Sequence, residues 1–69
     1  MSNGNTMTDY FYYTSDGFFE RGRDTVSNII TFLVNEGFDR ENEPIKVDEY
    51  GRQYLRWFKG NICVGVYRV

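Results

Sequence analysis

The segment from residue 52 to residue 69 constrains the fold most, because apolar side chains alternate with polar or aromatic ones around the pair Gly60-Asn61. Two residues of this kind form the tight turn of a β-hairpin. Such a loop pairs Lys59 with Ile62, Trp57 with Val64, Leu55 with Val66 and Gln53 with Arg68. We predict that the core packs on the face formed by Leu55, Trp57, Ile62, Val64 and Val66. The opposite face carries Arg52, Tyr54, Arg56, Phe58, Cys63, Gly65, Tyr67 and Val69.

The turn before this hairpin has two candidate lengths. A two-residue Tyr50-Gly51 loop would place Ile45 and Val47 on the second face, whereas a three-residue loop over residues 49–51 places them beside Leu55. A slip of one residue exchanges the two faces of a strand, so burial decides the register. We therefore predict the three-residue loop, with Gly51 in the left-handed conformation. This register also sets Asp48 opposite Arg52.

A second hairpin is predicted near the start of the chain, from Tyr10 to about Phe19, where two blocks of aromatic residues flank Ser15-Asp16-Gly17. Aspartate followed by glycine suits a tight turn, and aromatic residues favour strands. The sequence leaves open whether this hairpin joins the main sheet. Residues 1–9 are small and polar, so we expect a disordered tail there and a single domain over residues 10–69.

One helix is predicted after this hairpin. Asp24 or Thr25 is the candidate N-cap, and Gly37 suits the left-handed residue that ends a helix, with Phe38 folding back to cover that end. Spacings of three and four residues place four apolar side chains on one stripe, namely Val26, Ile29, Ile30 and Leu33.

Two further apolar side chains of the helix, Phe32 and Val34, lie away from that stripe. We expect them to pack beneath the N-terminal hairpin, since a domain this small has little other core. A role in an interface is the alternative.

Together these elements predict an α+β domain in which one helix covers an antiparallel sheet of three to five strands, in the order β-β-α-β-β-β. The main sheet is expected over residues 44–49, 52–59 and 62–69, with a polar loop over residues 39–44. Antiparallel sheets tolerate water on one face, so we expect the face opposite the helix to be at least partly open.

Composition disfavours catalysis. The chain has no histidine, which is the commonest general base at neutral pH, and it has one cysteine and no recognisable catalytic or nucleotide-binding motif. Arg56 or Lys59 could lower the pKa of Cys63, but a strand cysteine without a base is more often a packed apolar residue. We expect no enzyme activity, no catalytic residue and no cofactor.

A lone thiol fits a reducing, cytoplasmic setting, and no apolar stretch reaches the roughly 18 residues of a membrane span. We therefore expect a soluble protein. Three carboxylates close together could suggest a calcium site, namely Asp39, Glu41 and Glu43. A calcium-binding loop needs a longer series of ligands and a glycine at its bend, and both are missing here, so no metal site is predicted.

Charge is distributed unevenly along the chain. Residues 1–45 carry three basic and eight acidic side chains, whereas residues 46–69 carry five basic and two acidic ones. This polarity could steer an encounter with a charged partner. Alternatively, the two halves attract each other within the fold.

The predicted open face combines cations with aromatic rings, and its candidate partner-binding residues are Arg52, Tyr54, Arg56, Phe58, Tyr67 and Lys46. Tyrosine and arginine are enriched at the energetic centres of protein interfaces, so we expect a non-catalytic module that binds a larger protein and blocks one of its sites. Asp39, Glu41 and Glu43 are candidates for a secondary acidic contact with that partner. By size and composition alone, such a protein is comparable to phage-encoded inhibitors of host enzymes, among them anti-CRISPR proteins and RNA-polymerase inhibitors.

Three other interpretations remain open. The arginines and aromatic rings could simply stabilise the sheet by stacking across strands. The same face could bind single-stranded nucleic acid, although the overall acidity of the chain disfavours this. A homodimer could also form if the strand that ends at Val69 is an exposed sheet edge.

Overall fold

The computed structural model describes residues 5–42 and 45–68, and it consists of one helix and a six-stranded antiparallel sheet. The elements in chain order are β1 (Met7–Thr14), β2 (Phe19–Thr25), α1 (Val26–Asn35), β3 (Asp39–Arg40), β4 (Lys46–Val47), β5 (Gln53–Lys59) and β6 (Ile62–Tyr67). The α+β fold predicted from the sequence is confirmed. The sheet is one strand larger than predicted because β3, with only two residues, forms within the segment expected to be a loop.

The strands lie side by side in the order β2-β1-β6-β5-β3, and β4 also pairs with β5. The N-terminal hairpin therefore joins the main sheet, through β1 and β6. This arrangement makes β6 a central strand, flanked on both sides. Over the described residues, β1 occupies the edge that a homodimer through the last strand would use.

The register of the C-terminal hairpin is as predicted, with Lys59 opposite Ile62 and Trp57 opposite Val64. Gly60 adopts a φ of 58°, which the two-residue turn requires. Trp57 is buried against α1, together with Val64 and Val66 of β6. The strand parity on which the choice of faces rested is therefore confirmed.

The three-residue loop over residues 49–51 is also confirmed. The amide of Asp48 donates to the carbonyl of Arg52 at 2.9 Å, and Gly51 has a φ of 80°. The expected burial of Val47 is wrong, because its side chain is 58% exposed. β4 has two residues and lies at the border of the sheet, where Val47 is outside the core cluster under α1.

The first strand begins at Met7 and not at Tyr10. Thr8 is buried within it, and its hydroxyl donates to the carbonyl of Tyr67 at 2.7 Å. The turn closes where predicted, with a hydrogen bond from the amide of Thr14 to the carbonyl of Phe18 at 3.0 Å. The first four residues of the expected tail lie outside the described residues.

Helix α1 begins and ends as predicted. Thr25 is the N-cap, since its hydroxyl accepts a hydrogen bond from the amide of Asn28 at 3.1 Å. At the other end Gly37 has a φ of 83°, and the amide of the buried Phe38 donates to the carbonyl of Leu33 at 2.9 Å.

The prediction that Phe32 and Val34 pack beneath the hairpin is wrong. Phe32 is 55% exposed and Val34 is 59% exposed. A single helix on a sheet buries one stripe, and in α1 that stripe is centred on Ile29 and Leu33. The flanking apolar side chains therefore face solvent.

The polar loop expected over residues 39–44 begins as a strand. Asp39 pairs with Phe58 and Arg40 pairs with Trp57, and the amide of Glu41 donates to the carbonyl of Arg56 at 2.9 Å. The chain that leaves α1 therefore covers part of the outer edge of β5.

Candidate functional site

All six predicted partner-binding residues lie on the side of the sheet that faces away from α1, which we call the open face. The reason is the alternation of side chains along a strand: Trp57 points towards the helix, so its neighbours Arg56 and Phe58 point away. Tyr67 is in register with Tyr54, and Tyr54 with Lys46, so these residues share the open face. Arg52 directly precedes β5, and its guanidinium lies over the ring of Tyr67 on the open face.

The N-terminal hairpin adds side chains to the open face that the sequence analysis did not assign to it. The ring of Phe11 lies over Gly65, which faces it across the β1–β6 ladder. Four rings surround it, with centroids 5.1 to 6.1 Å from that of Phe11. We call these five residues the aromatic cluster: Phe11, Tyr13, Phe19, Tyr54 and Tyr67.

No second layer covers the aromatic cluster among the residues that the structure describes. Phe19 is 54% exposed, and the other four members are partly exposed. Tyr54 and Tyr67 meet Phe11 edge to face, while Tyr13 and Phe19 stack nearly parallel to it. Such contacts restrain each ring even at a surface.

At one side of the cluster, Arg52 stacks over the ring of Tyr67, with its guanidinium carbon 4.1 Å from the ring centroid. The same guanidinium donates to Asp9 of β1 at 3.0 Å, and the hydroxyl of Tyr67 donates to Asp48 at 2.8 Å. Desolvation and the bond to Asp48 both raise the pKa of Tyr67. Desolvation alone would raise the pKa of Asp48, but hydrogen bonds from Tyr67 and two backbone amides lower it.

On the other side, Arg56 forms a two-pronged ion pair with Glu41. Nε of Arg56 donates to Oε2 of Glu41 at 2.9 Å, and Nη2 of Arg56 donates to Oε1 of Glu41 at 2.7 Å. These bonds lower the pKa of Glu41 and raise the pKa of Arg56. The guanidinium also lies 5.1 Å from the ring centroid of Phe58.

The predicted basic face and the predicted acidic contact are therefore parts of one surface. Glu41 is held by Arg56, while Asp39 is exposed on β3, and Glu43 lies outside the described residues. The pairs of Arg52 with Asp9 and of Arg56 with Glu41 join the basic half of the chain to the acidic half. These pairs show that the basic and acidic halves of the chain attract each other within the fold, which was one of the two alternatives for the uneven charge.

Cys63 lies beneath the open face and is 4% exposed. Burial is the main reason that its pKa is raised, although Tyr13 and Arg56 act in the opposite direction. Lys59 lies on the helix side, 5.9 Å from the ring centroid of Phe38, and so does not activate the thiol as the sequence had suggested. This thiol is not poised as a nucleophile.

The residues missed from the sequence all come from the N-terminal hairpin. They are Phe11, Tyr13 and Phe19 of the aromatic cluster, and Arg21, whose guanidinium lies 5.6 Å from the ring centroid of Phe19. Their spacing of two along each strand is visible in the sequence. Which of the hairpin's two faces looks away from the helix depends on the pairing of Phe11 with Gly65, which local patterns do not specify.

Neither a metal-binding group of side chains nor a membrane-spanning helix is seen in the part of the chain that the structure describes. No three His, Cys, Asp or Glu side chains are grouped to hold a metal ion. The described helix has ten residues, which is too short to cross a membrane.

The chain matches no protein-family model, no curated protein and no solved structure.

Proposed function

We propose that this protein is a non-catalytic protein-binding module that docks its open face on a larger protein and blocks a site there. The observation that carries the proposal is the aromatic cluster, which no described element covers. Arg21 lies 5.6 Å from the ring centroid of Phe19, and Arg52 lies 4.1 Å from that of Tyr67. Aromatic residues and arginine are the side chains most enriched at the centres of protein interfaces.

The restraint on the rings supports binding. Phe11 is held by its four neighbours and by the close approach to Gly65. An interface that is already ordered loses less conformational entropy when it binds. The stacking of arginine on aromatic rings, which the sequence analysis gave as a purely structural alternative, therefore also prepares the surface for a partner.

The pattern of charge favours a protein partner over a polyanion. Arg23 and Arg52 lie near Asp9, and Arg56 is paired with Glu41. Phosphates would have to compete with carboxylates for these guanidinium groups, and carboxylates beside the binding face would repel a nucleic-acid backbone. A protein surface of mixed charge fits such a mosaic.

The proposal extends to inhibition in the cytoplasm. A small domain without a poised nucleophile acts on a partner most simply by occupying its surface. The comparison with phage-encoded inhibitors of host enzymes remains one of size and composition.

The test is affinity capture from a lysate of the cells in which the protein occurs, with two variants matched in exposure. Phe19→Ser removes an apolar side chain that is 54% exposed on the open face, and Val34→Ser removes one that is 59% exposed on α1. We expect Phe19→Ser, Tyr54→Ala and Arg56→Ala to weaken capture of the same partner, and Val34→Ser to leave it unchanged. Loss of capture with Val34→Ser alone would contradict the choice of face.

Single-stranded nucleic-acid binding is separated from this proposal by salt dependence. A labelled oligothymidine should show no saturable change in anisotropy at physiological ionic strength. Tight binding that collapses between about 50 and 200 mM salt would favour nucleic acid over protein as the ligand.

A further inference from the structure

The outer edge of β2 is a further surface of the sheet, and it adjoins the open face used in the proposed function. β2 is the terminal strand of the sheet, and no described strand pairs with its outer side. Hydrogen bonds from Thr14 to the carbonyl of Phe18 and from Val26 to the carbonyl of Thr6 fix the ladder with β1. Because such ladders alternate, the backbone groups that point outwards belong to Phe19, Arg21 and Arg23.

The side chains along this edge have a symmetrical order of charge. Residues 20–24 read acid, base, glycine, base, acid. Arg21 and Arg23 lie on the open face, since Arg21 is opposite Phe11 and Arg23 is opposite Asp9. Glu20 and Asp24 lie on the helix face. The edge therefore presents two cations on one face and two carboxylates on the other.

A groove adjoins the edge on the helix face. It has a volume of about 310 Å³ between the hairpin and α1, and its lining includes Tyr10, Tyr12, Ile29 and Phe32, with Glu20 and Asp24 at the β2 side. The ring of Tyr10 lies over Gly22, where a Cβ atom would be 2.7 Å from Cε1 of that ring. A side chain that arrives opposite Gly22 would meet this apolar groove, with a carboxylate on either side.

We propose that the edge of β2 accepts an extended segment of a partner protein as an added strand, and that the segment carries the complementary order base, acid, apolar, acid, base. The backbone of the segment pairs with Phe19, Arg21 and Arg23. Its two acidic side chains lie opposite Arg21 and Arg23 on the open face. Its two basic side chains lie opposite Glu20 and Asp24, and the apolar one enters the groove.

A second copy of the chain does not satisfy this pattern. In a symmetric antiparallel pair centred on Gly22, Glu20 faces Asp24 and Arg21 faces Arg23. Centring the pair on Arg21 or on Arg23 places an arginine opposite itself. Each arrangement brings like charges together, and charged edges of this kind prevent sheets from joining.

Two peptides of identical composition test the proposal. The first has the core Lys-Glu-Leu-Glu-Lys and the control has the core Glu-Lys-Leu-Lys-Glu, each flanked by two threonines and blocked at both ends. Both cores have zero net charge, so non-specific electrostatics cannot separate them. We expect the first peptide to bind at least about tenfold more tightly, because four cross-strand charge pairs reverse sign between the two.

Amide exchange measured by NMR locates the bound peptide. The outward amides of Phe19, Arg21 and Arg23 should exchange more slowly when the first peptide is bound, while those of Glu20 and Gly22, which face β1, should change little. A protein variant with Arg21→Glu and Arg23→Glu should bind both peptides about equally, because each then makes two favourable and two unfavourable pairs. Equal binding of the two peptides to the unaltered protein, absence of binding, or protection away from β2 would overturn the proposal. A concentration-dependent dimer with protected β2 amides would also overturn it.

Discussion

The close approach of Phe11 to Gly65 predicts that Gly65→Ala destabilises the protein through this one contact. A Cβ atom at position 65 would lie 2.6 Å from Cε2 of Phe11, and closer still to Cζ and Cε1. The ring must move until these distances reach at least the ordinary 3.4 Å. Its path is restricted by Tyr54 and Tyr67, which meet it edge to face.

The magnitude follows from two opposing effects. Overpacking typically costs about 1–3 kcal/mol, while replacing glycine in a strand by alanine recovers roughly 0.5–1 kcal/mol. We therefore expect Gly65→Ala to lower the free energy of unfolding by about 1 kcal/mol, within a range of about 0–2.5 kcal/mol. Urea denaturation followed by the fluorescence of Trp57, the single and buried tryptophan, measures this change.

The Phe11→Ala background supplies the control. Once the ring is gone, Gly65→Ala no longer meets an obstacle, and only the gain from strand propensity remains. The substitution should then be neutral or stabilising by up to about 1 kcal/mol. An equal loss in both backgrounds would refute the argument that Phe11 is seated on Gly65.

Three further predictions concern stability. Thr25→Ala should lower the free energy of unfolding by about 1 kcal/mol through loss of the N-cap, whereas the exposed mid-helix Thr31→Ala should change it little in the same denaturant titration. Because Arg56 lowers the pKa of Glu41 in the folded state, this pair contributes stability that is present above the unfolded pKa and is lost as pH falls through the folded pKa. Glu41→Gln should therefore flatten the acid limb of a plot of stability against pH, and an unchanged limb would count against the pair. Trp57→Ala should cost about 3–5 kcal/mol in melts followed by circular dichroism. Trp57→Phe should cost clearly less, because the indole Nε1 has no hydrogen-bond partner among the described residues, and equal losses would contradict this.

Turn chemistry made much of the fold predictable. Gly60 and Gly51 each adopt the positive φ that their turns require, and the registers on both sides follow from loop length and from the need to bury Trp57. The helix was equally predictable from the sequence, because its N-cap and its terminal glycine are local signals.

The wrong predictions concern residues whose burial depends on packing between distant parts of the chain. Val47 has the alternation of a core strand, yet α1 does not reach it. No described element covers Phe32 or Val34, although their hydrophobicity suggested one. Such outcomes depend on how far a ten-residue helix extends over a six-stranded sheet, and local sequence does not encode that.

Only part of the candidate site was predictable, because some of its contacts also depend on the pairing of distant strands. Tyr54, Arg56 and Tyr67 share a face because of their register within one hairpin. Phe11, at the centre of the aromatic cluster, joins them through the pairing of β1 with β6, two strands separated by most of the chain.

The most direct test of the account is to record the aromatic and backbone NMR spectra of the protein with and without its captured partner. We predict that binding perturbs the signals of the aromatic cluster, led by Phe11, Tyr54 and Tyr67, and leaves those of Val34 on α1 unchanged. Perturbation confined to α1, with the signals of the aromatic cluster unmoved, would contradict the assignment of the open face as the binding surface.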